Sequence, residues 1–241
     1  MDTPAKPAPA PEHSCDPTGP KSHAPFLVAG AVLLALCPLT WSIDGPIHQW
    51  AQSISLGGDI RRTLETIQQF GDGATVALSC ILIYLLDPSQ RKRIWILILT
   101  VLAVSACTLL LKMSFGRPRP VFEDPSYLCG PFGTYPVFSN TSATGLELRS
   151  PWQFWLKGVS NLWSFPSSHT SGATALGLSL WWLYPRLKPL IVVLLIIVAT
   201  SRVILNAHYI TDVLAGAAVG LIIAPLLLEH ALKHALKHAK H

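Results

Sequence analysis

The chain has 241 residues, of which 50% are hydrophobic and only 13% charged, and its mean hydropathy is +0.42. That is too apolar for an ordinary water-soluble domain and fits a single membrane-embedded one. The net charge of +5 does not mark a nucleic-acid binder, because the cations fall between apolar runs and not in a basic stripe with interleaved aromatics.

Residues Met1–Ala24 are rich in Pro, Ala and polar side chains and predict a disordered cytoplasmic tail. The apolar run Pro25–Ile43 begins too far in and is too long for a cleaved signal peptide, so it reads as the first span. Asp44–Asp72 is a polar connector whose amphipathic middle (Ile54, Ile60, Leu64, Ile67) suits the membrane surface. Gly73–Leu86 is the second span, Asp87–Arg93 a basic turn, and Ile94–Leu111 the third span. Lys112–Phe165 is a long loop rich in Pro, Gly, Ser and aromatics. A fourth span follows over Pro166–Tyr184, a fifth from Leu190 to Arg202, and a sixth over Val213–Leu228. The tail Glu229–His241 repeats Ala-Leu-Lys-His and reads as an interfacial basic helix end.

The predicted fold is therefore all-α: a six-transmembrane-helix bundle over residues 25–228, with an outer loop region at about 121–163 above the site. Lys and Arg in the short turns Arg91–Arg93 and Arg186–Lys188 set the orientation, with both termini on the cytoplasmic side. The five cysteines lack CxxC spacing, so neither a disulfide framework nor a zinc site is expected.

With that topology, three polar stretches meet on the outer face. The first is Lys112 to Pro120, the second Pro166-Ser167-Ser168-His169, the third Ser201-Arg202 through His208 to Asp212. Ionisable groups at membrane-span ends are costly and mark working sites. Lys112, Arg119 and Arg202, with Arg117, make a cationic pocket suited to a phosphate dianion. Ser167 and Ser168 add hydroxyls and helix N-terminal N–H groups. His208 and Asp212, four apart, would share one helix face, with a break expected near Asn206-Ala207 because Arg202 is off that face. His208 is the candidate nucleophile, Asp212 its orienter, and His169 the general acid and base. A metal is not expected, since fixed cations would repel it and already neutralise the phosphate; no cofactor is called for.

These stretches resemble the signature of the type 2 phosphatidic acid phosphatase superfamily: K-x6-R-P, P-S-G-H and S-R-x5-H-x3-D. Lys112 through Arg119-Pro120 and Ser201-Arg202 through Asp212 match in spacing, while Ser168 stands where the pattern has Gly. The resemblance implies a metal-independent integral membrane phosphatase acting on a lipid phosphomonoester or pyrophosphate through a phosphohistidine at His208. It also implies a bacterial inner-membrane location with the site facing outward, and substrates such as lipid A 1-phosphate, undecaprenyl pyrophosphate, phosphatidylglycerol phosphate or phosphatidic acid. Two other readings stand beside it: a lipid phosphotransferase using the same phosphohistidine, and a non-catalytic anion-binding membrane protein.

Overall fold

In the computed structural model, which describes residues 23–138 and 145–238, the chain is mostly helical. The expected N-terminal tail, up to residue 22, and the last three residues of the C-terminal tail lie outside the described residues. In chain order come α1 (Ala24–Trp41), α2 (Asp44–Ser53), α3 (Gly58–Ile67), α4 (Gly73–Leu86), α5 (Ile94–Phe115), α6 (Ser168–Leu183), α7 (Lys188–Ile204) and α8 (Ile210–His238).

Four helical stretches among the described residues are long and apolar enough to cross a membrane: Ala24–Trp41, Pro88–Phe122, Pro185–Ile204 and Ile210–Ala231. The other two expected spans are shorter. At 1.5 Å per residue, α4 with its 14 residues reaches only about 21 Å, against roughly 30 Å of bilayer hydrocarbon. With 16 residues, α6 reaches about 24 Å. It lies inside the bundle, buried along Thr170–Ser179. Its Ser, Thr, Gly and Ala side chains let neighbouring backbones come close, as apolar surroundings require when burial alone does not drive helices together.

The helix α8 is the spine, packed by α1, α5 and α6. Leu97, Val104, Leu176 and Ala224 form the centre of the core. Leu85, Leu99, Leu102 and Leu110 point outward, an apolar surface that suits lipid. At the end of α5 and α6 remote from the polar motifs, Arg93 sits 5.4 Å from the Trp182 ring and Lys188 5.0 Å from Trp181. Cations resting on aromatic faces suit a headgroup layer.

Two expectations change. The chain is not wholly helical: Tyr135–Phe138 (β1) and Leu146–Arg149 (β2) pair antiparallel, Tyr135 opposite Arg149, within the loop after α5. Alternating side chains such as those of Tyr135-Pro136-Val137-Phe138 bury Val137 and leave Phe138 out, a two-residue period that helix packing does not supply. The Asp44–Asp72 connector is two helices, not one surface segment; α2 buries Asp44, His48 and Ala51, while α3 buries nothing. Past the sixth expected span, α8 continues to His238, in keeping with the basic helix end expected there, and Lys233 Nζ bonds Glu229 at 2.6 Å one turn earlier.

Candidate active site

The site begins where α5 ends. Gly116 closes the helix in the left-handed region (φ 60, ψ 48), donating its N–H to the Lys112 carbonyl at 2.9 Å. A Cβ there would fall 2.3 Å from Pro151 Cγ, so glycine is required by both backbone and space. The turn it makes sends successive cations to different places. Lys112, buried, donates its ammonium to the Trp163 carbonyl. Arg119 is held by residues 160 and 161: its N–H reaches the Asn161 carbonyl at 2.8 Å and its Nε the Ser160 carbonyl at 3.1 Å.

The start of α6 supplies the second part. Ser167 is buried and accepts from Thr170 Oγ1 at 3.1 Å, whereas Ser168 is exposed. Ser168 and His169 line a groove of about 470 Å³ whose other walls are α4 and α5, including Asp72, Val76, Ile98 and Leu102. The groove is polar at the His169 end and apolar along the two helices.

The third part is the connector between α7 and α8. The helix breaks as expected: α7 ends at Ile204 and Asn206 takes a left-handed φ of 54. The N–H groups of Ala207 and His208 both return to the Arg202 carbonyl at 3.1 Å. His208 therefore precedes α8 instead of sharing its face with Asp212. The carboxylate in the first turn of α8 reaches back, accepting the Tyr209 N–H at 2.9 Å on Oδ2 and lying 3.4 Å from His208 Nδ1 with the same oxygen. Ser164 Oγ donates to that oxygen at 2.6 Å. With Nδ1 turned to the carboxylate, Nε2 is the ring nitrogen left for chemistry. Burial pushes the His208 imidazole down to about 3, so it is neutral at physiological pH.

The cations act on one another and on both histidines. Lys112, Arg119 and Arg202 lie within electrostatic reach of each other; all three act on His169, and Lys112 and Arg202 act on His208. Arg202 donates one Nη to Gln68, while its buried Nε meets no protein acceptor. A buried guanidinium N–H without a partner is costly unless something arrives to accept it.

Arg117 does not join them. Its guanidinium is fully buried and committed to Asp212 (2.7 Å), Asp44 (2.7 Å) and the Pro125 carbonyl. Those bonds use the donors that would have met a phosphate, which corrects its place in the cationic pocket. Residues that the sequence did not single out complete the site: Asp44, Ser164, Gln68, Asp72 and the Trp163 carbonyl. Only the position of Asp44, a lone carboxylate abutting the first apolar run, carried any signal.

The model of the PAP2 superfamily matches residues 93–234, which contain every one of the three motifs. The lipid A 1-phosphatase of Rhizobium johnstonii is 28% identical over 211 residues, covering 81% of this chain and 74% of that protein. The crystal structure of a transmembrane PAP2-type phosphatidylglycerolphosphate phosphatase from Bacillus subtilis superposes with a TM-score of 0.58 at 19% identity, covering 88% of this chain and 96% of the other. At that identity the likeness is one of fold.

Proposed function

The chain belongs to the PAP2 superfamily, and from that premise we propose that it is an integral membrane enzyme hydrolysing a lipid phosphate through a phosphohistidine at His208. The observation that carries this reading is the pair His208–Asp212 together with three buried or half-buried cations within electrostatic reach of His169, which itself lines a groove walled mostly by apolar side chains of α4 and α5. An alkyl chain fits the apolar walls of α4 and α5, and a phosphate fits the cations.

The proposed steps use these residues in turn. Lys112, Arg119, Arg202 and the N–H groups at the start of α6 hold the phosphate, with the orphan Nε of Arg202 accepted by a phosphate oxygen. Nε2 of His208 attacks phosphorus, the P–N bond forms, and the P–O bond to the lipid breaks. His169 gives its proton to the departing oxygen. The same imidazole then takes a proton from water, whose oxygen attacks phosphorus as the P–N bond breaks. Inorganic phosphate leaves and His208 is restored. Asp212 stabilises the positive charge that grows on the imidazole, and the fixed cations do the work of a metal in other phosphoryl-transfer sites.

Lipid A 1-phosphate is the first substrate to test, since the lipid A 1-phosphatase of Rhizobium johnstonii is similar over most of both chains. We place the site on the outer face of a bacterial inner membrane, with α4 and α6 completing six spans, because Arg91, Lys92, Arg93, Arg186 and Lys188 collect at the opposite end. The experiment is phosphate release from lipid A 1-phosphate, undecaprenyl pyrophosphate, phosphatidylglycerol phosphate and phosphatidic acid by purified protein in detergent with EDTA. Turnover of one of them, lost in His208→Ala, supports the reading. Release that disappears with EDTA, or persists in His208→Ala, contradicts it.

A further inference from the structure

Arg117 lies between two carboxylates, and all three groups are removed from solvent. Nη1 donates to Asp212 Oδ1 and Nη2 to Asp44 Oδ2, each at 2.7 Å. The guanidinium is sandwiched by rings, its central carbon 4.0 Å from the Trp41 centroid and 4.3 Å from that of Tyr209. The second oxygen of Asp44 accepts the Thr211 N–H at 3.1 Å, one residue before Asp212.

Burying one cation with two anions is an expensive way to join α1, α2 and α8, because well-packed apolar side chains hold helices together as well or better. What apolar packing cannot do is choose between the two oxygens of Asp212. Arg117 occupies Oδ1. Oδ2 is thereby left to His208 Nδ1, Ser164 and the Tyr209 N–H. The planar fork and the two rings fix the guanidinium, so the carboxylate it grips cannot rotate. Asp44 has a second part. Its charge offsets that of Arg117, so the negative charge of Asp212 stays available to the imidazole.

We propose that Arg117 and Asp44 are positioning residues for the nucleophile: a buried carboxylate–guanidinium–carboxylate chain that orients Asp212 and keeps its charge directed at His208. This rests on the reading of His208 as the nucleophile. Neither residue touches the phosphate, so their loss should lower the rate of the chemical step without weakening substrate binding.

The test uses the full-length protein in detergent, with steady-state kinetics on the substrate that the wild type turns over. Arg117→Lys keeps the charge but cannot bridge both carboxylates. Asp44→Asn keeps the shape and an acceptor for the Thr211 N–H, so it decides the matter if Arg117→Lys does not fold. We expect kcat to fall by about ten- to hundredfold in each, as for partners that orient a reacting group, with KM within about twofold of wild type. Phosphoenzyme formation in a single turnover should slow by the same factor as kcat. Folded Asp44→Asn with wild-type kcat, or with its loss confined to KM or melting temperature, overturns the proposal while an inactive His208→Ala leaves the phosphohistidine reading standing. Full activity in His208→Ala overturns both.

Discussion

The backbone N–H of Ser167 donates to the carbonyl oxygen of Asp212 across 2.9 Å, tying the start of α6 to the first turn of α8. One hydrogen bond thus joins the second and third motifs, bringing the helix N-terminus beside His169 into the frame that holds His208. One turn along α8, Gly216 lets the two helices meet: a Cβ there would stand 2.4 Å from the Ser167 carbonyl oxygen.

Gly216→Ala must therefore separate α6 from α8, since the clash is with backbone and not with a side chain that can swing away. A shift of even a few tenths of an ångström is felt at reacting atoms. We expect a lower melting temperature, with a cost of about 1–3 kcal/mol for overpacking, and a fall in kcat measured on the protein that remains folded. Unchanged melting and turnover would mean that the two motifs are not rigidly joined.

The cations should differ in what they tolerate. Arg202→Ala removes the orphan Nε and the bond to Gln68, and should lower kcat/KM by about a hundredfold to a thousandfold, the usual effect of losing one donor to a developing oxyanion. Arg119→Lys keeps a charge but loses the Nε bond to the Ser160 carbonyl and the planar fork, so it should not rescue activity. Arg117→Ala, by contrast, should leave phosphate or vanadate binding nearly intact, which calorimetry on the folded protein would show.

The pH dependence of stability follows from His208. Its folded value is pushed down to about 3, below the ordinary 6.5, by burial in the connector between α7 and α8. Between those values the unfolded chain binds a proton that the native state refuses, so stability falls as pH drops from 6.5 toward 3. Melting in detergent should therefore drop over that window, and less steeply in His208→Gln, which cannot charge.

A phosphate mimic should stabilise the folded protein. Orthovanadate presents oxygens to Lys112, Arg119 and Arg202, and at a hundred times its Kd it would add about 2.7 kcal/mol. We expect the melting temperature to rise with vanadate in wild type and to rise far less in Arg202→Ala.

The charged groups inside apolar runs made much of this legible. Lys112, Arg202, His208 and Asp212 are costly where they sit at span ends, which marked them as candidates, and a break before His208 followed from the spacing to Arg202. The relation of His208 to Asp212 was readable as nearness but not as geometry, because an i, i+4 pair implies a helix where the chain turns. Arg117 and Arg119 are two residues apart and chemically alike. Only the left-handed turn at Gly116 decides that one points to Asp44 and Asp212 and the other to Ser160. Asp44 meets Arg117 across 73 positions, and a single carboxylate after an apolar run looks like the first residue of a connector. The paired strands Tyr135–Phe138 and Leu146–Arg149 were hidden because four-residue strands have too short a pattern to stand out in a loop full of Pro and Gly.

The most direct measurement is the covalent intermediate itself. Full-length protein mixed with a substrate carrying radiolabelled phosphate, quenched in base and digested, should yield label on the peptide containing His208, in an acid-labile, base-stable bond. No label should appear in His208→Ala, and in His169→Ala the label should both form and decay more slowly, because neither the leaving oxygen nor the water is then served by that imidazole. Turnover without any labelled histidine, or label on another residue, would contradict the account.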